Sequence, residues 1–274
     1  MQKDEPTTSS QAAKIHPTAI VEEGAKIGSN CIIGPYAFVG SEVTLGDGCH
    51  LHHHATVDGF TTLGRNCELF PYACVGLKTQ DLKYAGGKPG LKVGDENVFR
   101  EFSTIHTATD DGDFTIIGHR NYFLAYTHVA HDCVIGNDVI MSNNATLAGH
   151  VHVEDFAILG GMAGVHQFCR IGTRTMIGGC SKVEKDIPPF FIADGQPAYV
   201  RGVNVVGLQR ANYTNEQISV IKTIYRTLYR DGLNRTQALE KLATIGDGTN
   251  REIEIIRGFA AKSSRGFASG SKDR

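Results

Sequence analysis

Residues 25–57 read AKIGSNCIIGPYAFVGSEVTLGDGCHLHHHATV. Every sixth position is aliphatic: Ile27, Ile33, Val39, Leu45, Leu51 and Val57. Four residues after each comes a smaller side chain: Cys31, Ala37, Val43, Cys49 and Ala55. A helix repeats every ~3.6 residues and a strand every two, so neither yields a period of six. A parallel β-helix does. Each hexad makes one short strand and a turn, three hexads close a coil, and residues eighteen apart stack at roughly 4.8 Å.

Outward from this stretch, the period runs from Ile15 to Val75, returns at Val93, Phe99 and Ile105, and runs again from Ile117 to Val183. The solenoid is therefore expected over residues 15–187, with Pro188 and Pro189 at its exit. Two breaks interrupt it. Residues 77–91 (LKTQDLKYAGGKPGL) read as a loop extruded from one corner, and Thr109 to Phe114 is a shorter break. Long loops on rigid scaffolds often carry function. Residues 1–14 read as a polar arm. After the solenoid the period becomes helical. Thr214 and Gln217 form a capping-box pattern, Ile218, Ile221, Tyr225 and Leu228 follow at helical spacing, and Gly232 is a stop. Further amphipathic stretches cover about 235–245 and 250–261. Residues 188–274 are thus expected to be a small helical domain that covers the open end of the solenoid, where edge strands would be exposed.

The 274 residues carry 27 Lys+Arg against 29 Asp+Glu, and 41% are hydrophobic. This balance argues against disorder and against a polybasic nucleic-acid binder. No apolar run approaches the ~18 residues of a membrane span, and the N-terminus lacks the apolar core of a secretory signal. The 32 glycines against 8 prolines point to many tight turns. Cys31, Cys49, Cys67, Cys133 and Cys169 fall at inward positions and no Cys-x-x-Cys pair is present. They read as small buried hydrophobes in a reducing cytoplasm. Residues 201–274 hold thirteen Lys and Arg against seven acids, whereas residues 1–60 hold three against seven. A basic end suggests an anionic partner.

Five histidines lie between 128 and 166. The hexads at Val129, Leu147 and Val165 are eighteen apart, so His131, His150, His166 and Gln167 fall on one strip of surface, with His128 at the adjacent corner. None is at an inward position. Three readings fit the spacing. An imidazole there could act as a general base, oriented by the neighbouring Asp132. Stacked histidines could hold a metal. The strip could also be plain solvated surface, as His52, His53 and His54 are expected to be.

The hexapeptide pattern resembles the left-handed β-helix acyltransferases, and the left hand is taken from that resemblance. Several segments are more specific: HVAHDCVIGN (128–137), NNATLAGHVHV (143–153), GGMAGVHQFC (160–169), IGGCSKVEKDIPP (177–189), QDLKYAG (80–86) and TIH (104–106). Together they resemble the UDP-N-acetylglucosamine O-acyltransferases, the first enzymes of lipid A biosynthesis, over nearly the whole chain after residue 14. The resemblance implies that His131 is the general base. It would deprotonate the sugar 3-hydroxyl, which attacks the thioester of a 3-hydroxyacyl chain on acyl carrier protein. Asp132 would support the histidine and the Gly149 N–H would hold the oxyanion, with no acyl-enzyme and no cofactor or metal. By the same resemblance His128, Asp81 and Lys83 would hold the sugar. His150, His166 and Gln167 would line the nucleotide-sugar site, Gly179 the acyl groove, and Asn204 and Arg210 would contact UDP. The family works as a homotrimer with sites between subunits. Acyl carrier proteins are acidic, so Arg170, Arg174, Lys182, Lys185 and Arg201 are expected to extend a docking zone from the basic domain.

Three other functions compete. An N-acyltransferase of the same pathway shares the solenoid but normally carries an N-terminal uridine-binding domain, and only about 14 residues precede the repeat here. A β-helical carbonic anhydrase would hold a metal between subunits. A trimeric scaffold would show no turnover.

Overall fold

The computed structural model describes residues 11–245 and 250–271. Residues 1–10 of the expected arm lie outside them. The period of six becomes a left-handed parallel β-helix with three flat faces. The first face starts with strand Lys14–Ile15, the second with Ile20–Val21 and the third with Lys26–Ile27, and every third strand adds to the same face. Pairing follows the coil: Ile15 faces Ile33, and Ile33 faces Leu51. At the breaks the coil lets chain out without losing register. Glu68 pairs with Val98 across the extruded loop, and Val98 with Tyr122 across the shorter break.

The core is the inward ladder. Ile33, Val39, Leu45, Leu51, Val57, Leu63, Leu69 and Val75 are at most 2% exposed. Each buried aliphatic side chain contributes about 2 kcal/mol. Ile15, expected inward as well, is 48% exposed, since no coil among the described residues lies beneath the first one. Phe99 and Phe123 stack in the interior at 5.0 Å. The thiols of Cys31, Cys49 and Cys67 donate to the carbonyls of Gly46, Gly64 and Gly94 at 3.2, 3.1 and 3.2 Å.

Ten of the described glycines, Gly24 and Gly48 among them, take the left-handed turns expected of them, but others serve a different purpose. Most left-handed turn positions carry other residues, such as Asn30, Tyr36, His54 and Tyr72. Gly46 and Gly64 instead follow an inward aliphatic, where the next coil comes close. A Cβ on Gly46 would lie 2.6 Å from the Gly64 carbonyl carbon, and one on Gly64 2.6 Å from that of Gly94. Space between coils, not φ, selects glycine there.

Beyond the last coil, strand Phe191–Gly195 continues the first face in parallel and turns back antiparallel through Ala198–Val203. This hairpin lies between the solenoid and the first helix and was absent from the sequence expectation. Four helices follow: α1 (Val205–Arg210), α2 (Asn215–Tyr229), α3 (Arg235–Ala243) and α4 (Arg251–Ala261). The Thr214–Gln217 capping box is present at α2. Tyr225 and Tyr229 of α2 meet Phe191 edge-on at 5.7 and 5.8 Å, which seats the helix on the hairpin. Buried Asp186 ties the tail to the last coil. Its carboxylate accepts from the Arg170 N–H at 2.8 Å and from the Ser263 hydroxyl at 2.6 Å.

Candidate active site

His131 stands on the corner between the second and third faces, in the turn after strand His128–Val129. Asp132 follows in the left-handed region with φ 59°, a conformation that a short polar side chain tolerates. Its N–H donates to Thr115 Oγ1 at 2.8 Å. Its Oδ2 lies 2.7 Å from His131 Nδ1, and its Oδ1 accepts from the Thr109 N–H at 3.3 Å. A carboxylate only accepts, so the neutral ring carries its proton on Nδ1 and leaves the Nε2 lone pair free. That is the tautomer a general base at Nε2 requires.

The next coil makes room for this ring. A Cβ on Gly149 would lie 2.4 Å from His131 Cε1 and 2.6 Å from Nε2. The Gly149 carbonyl accepts from Phe168, while its N–H pairs with no acceptor among the described residues. His150 meets His131 edge-on at 5.2 Å and lies flat on Phe168 at 4.6 Å. Its Nε2 is 3.8 Å from Asp132 Oδ2. His166 and Gln167 are exposed on the following coil, with His166 Nδ1 3.1 Å from the Gln167 carbonyl.

The extruded loop reaches the same corner. Asp81 Oδ2 is 3.9 Å from His131 Nε2. The Lys83 N–H donates to Asp81 Oδ1 at 3.0 Å and holds that carboxyl below the usual range. The Lys83 side chain is exposed. His128 is bonded to Thr104 Oγ1 at 2.8 Å and lies edge-on to His106 at 5.3 Å. Burial, with His106 beside it, lowers its pKa to about 4. It is therefore a neutral hydrogen-bonding group at physiological pH.

One chain thus gathers Asp81, Lys83, His128, His131, Asp132, Gly149, His150, His166 and Gln167 around one corner. It does not gather the rest. Gly179 is on the corner between the first and second faces, under Gly161. Asn204 and Arg210 border a groove of about 400 Å³ with Asp138, Phe156 and Arg174, at the far edge of the third face. Asn204 is also occupied. Its Oδ1 accepts from Gly207 at 3.1 Å as the cap of α1, and its Nδ2 donates to the Arg174 carbonyl at 3.0 Å.

Among the described residues two trios could hold a metal ion: His131, Asp132 and His150, and separately His50, His52 and Glu68, each with ligand atoms within 4.8 Å. In the second trio His52 Nε2 is already 2.8 Å from Glu68 Oε1.

Comparison with known proteins decides the family. A model described as Udp N-acetylglucosamine O-acyltransferase, domain 2, matches residues 186–268, and the bacterial transferase hexapeptide model matches 11–41 and 114–149. The chain is 48% identical over 256 residues to the acyl-[acyl-carrier-protein]–UDP-N-acetylglucosamine O-acyltransferase of Thiobacillus denitrificans, covering 93% of this chain and 99% of that protein. Its counterpart in Paraburkholderia phymatum is 46% identical over 259 residues, with the same coverage. The chain belongs to the UDP-N-acetylglucosamine O-acyltransferases.

Solved O-acyltransferases of this family agree in fold. The enzyme from Moraxella catarrhalis gives a TM-score of 0.88 at 38% identity, over 93% of this chain and 99% of that one. The enzyme from Francisella novicida gives 0.90 at 35%, over 94% and 95%. For an O-acyltransferase, the basic zone expected from sequence needs correction. The Arg170 side chain is only 14% exposed, bonds Glu154 at 3.1 Å and faces Phe259. The Arg174 guanidinium lies over Phe156 at 4.1 Å and near Tyr213 at 5.3 Å. Lys182 and Arg201 pair with Glu184 and Asp194. Arg170 and Arg174 thus pack into the fold, so reversing Arg170 would test stability rather than docking, whereas Lys182 stays 63% exposed beside its partner. Sequence reasoning also missed Thr79, Thr109 and Thr115, because a lone threonine gives no signal until its neighbours are known.

Proposed function

We propose that the protein transfers a 3-hydroxyacyl chain from acyl carrier protein to the 3-hydroxyl of UDP-N-acetylglucosamine, the first step of lipid A biosynthesis. The observation that carries the mechanism is His131 held between Asp132 at Nδ1 and Gly149 at the opposite edge of its ring. His131 Nε2 takes the proton of the 3-hydroxyl as its oxygen attacks the thioester carbonyl. Asp132 stabilises the imidazolium that forms. The Gly149 N–H donates to the oxyanion. Collapse of the tetrahedral intermediate makes the ester, breaks the carbon–sulfur bond and returns the proton from Nε2 to the departing thiol. No acyl-enzyme is needed. Cys133, next to the pair, is fully buried, and burial pushes its thiol up to about 12.

Asp81, Lys83 and His128 would hold the sugar, and His150, His166 and Gln167 the rest of the nucleotide sugar. Arg210 and Asn204 would meet UDP from another copy of the chain, since one copy keeps them apart from His131. Gly179 would line the acyl groove in the same shared cleft. Such a division accords with a homotrimer. Exposed cations at this end of the molecule, Lys185, Lys222 and Arg226 among them, would meet an acidic carrier protein. No described helix is long and apolar enough to cross a membrane, and a cytoplasmic location accords with the free cysteines.

The test is a mass-spectrometric assay with UDP-N-acetylglucosamine and mixed 3-hydroxyacyl carrier proteins, run beside His131→Ala. Acylated UDP-sugar from the wild type alone is expected, with a loss on the order of 1,000-fold in the variant. Equal product from both would remove His131 from the mechanism. Product only with a 3-amino sugar would reassign the acceptor.

A further inference from the structure

The hexad period breaks twice, between Leu77 and Gly90 and between His106 and Phe114. The proposed chemistry draws Asp81 and Lys83 from the first break and no side chain from the second. Yet the two segments meet beneath the site. Thr79 Oγ1 is 3.0 Å from Thr109 Oγ1, and the two residues are 6% and 5% exposed. On one side the Asp81 N–H donates to Thr79 Oγ1 at 3.1 Å. On the other the Thr109 N–H donates to Asp132 Oδ1 at 3.3 Å. The two aspartates that flank the His131 ring are therefore linked through these two threonines, Asp81 by its backbone N–H to the Thr79 hydroxyl and Asp132 by its carboxylate to the Thr109 N–H.

The pair is not required to close the loop. His106 Nδ1, 2.7 Å from the Lys78 carbonyl, and the Thr107 N–H, 3.0 Å from the Leu77 carbonyl, already anchor its base. The threonines act one step further on, where the chain turns from that anchor toward Asp81. Beyond them it is open to solvent, and Leu82 is wholly exposed. In so buried a position a missing hydroxyl leaves its partner unsatisfied and the next residues less firmly held.

We infer that Thr109 is a positioning residue that, through Thr79, places Asp81 opposite the general base and so shapes the sugar-binding half of the site. This rests on the roles given above to His131 and Asp81. Thr109→Val removes the hydroxyl while keeping the side-chain shape and the N–H that serves Asp132. The KM for UDP-N-acetylglucosamine is expected to rise about five- to tenfold, the effect of one lost hydrogen bond. The KM for acyl carrier protein should hold, and Thr109→Ser should restore the sugar KM. Thr79→Val should act in the same direction and more strongly, because it also removes the acceptor of the Asp81 N–H, and the double variant should be no worse than Thr79→Val alone, since that change already removes the shared hydroxyl contact. Faster amide exchange at residues 79–85 in Thr109→Val gives a readout independent of turnover.

His131→Ala is measured alongside. If it is inactive while Thr109→Val keeps the wild-type sugar KM and loop exchange, the positioning role is wrong. If the two valine effects multiply, the threonines act separately and the coupling is wrong. If His131→Ala still turns over, the fault lies in the catalytic assignment instead.

Discussion

At the scale of single residues, the site depends on what is missing at Gly149. Its φ is not in the left-handed region, so glycine is there for space: the His131 ring fills the position of a Cβ. Gly149→Ala should push the imidazole off Asp132 and away from the oxyanion donor together. A fall in kcat on the order of 100-fold is expected, since misplacing a catalytic group by about 1 Å costs that much. Thermal unfolding should change little, because the displaced ring lies outside the inward core of the coil. Full activity in the alanine variant would mean that the ring has another place to sit.

At the scale of elements, adjacent strands Thr104–His106 and His128–Val129 bring a buried imidazole and a half-buried one together. Burial lowers the pKa of His106, and that of His128 to about 4, against about 6.5 in an unfolded chain. Between these values the unfolded chain binds more protons than the folded one, so stability rises with pH there. This part of the stability is present above about pH 6.5 and is lost as pH falls toward 4. Urea midpoints should drop between pH 7 and pH 5, and His128→Gln should flatten the drop. Parallel curves for variant and wild type would show that His128 does not contribute.

At the scale of the whole molecule, the third face separates His131 from Arg210. Rigid parallel coils cannot fold this gap closed, so both can serve one substrate only if different copies supply them. Co-expressed His131→Ala and Arg210→Ala chains should then form mixed assemblies with wild-type sites, and recover activity that neither variant has alone. For a trimer mixed at random, recovery of up to about a quarter of the wild-type sites is expected. No recovery from verified mixed assemblies would place the whole site on one chain.

The sequence by itself determined the solenoid, its three faces, the corner that carries His131 and the family. All of these follow from a strict period, which turns positions in the chain into positions in space without further information. It also determined the cap of α2 and the extruded loop, through local signals. Tertiary structure alone decided the remainder. The hairpin at 191–203 has no period of its own and forms because the last coil offers an open edge. The role of the glycines emerged only once coils were stacked. Arg170 and Arg174 looked like free charge until Glu154, Phe156 and Phe259 were found against them. The Thr79–Thr109 contact joins two irregular segments whose lengths obey no repeat, so only folded coordinates bring those hydroxyls together.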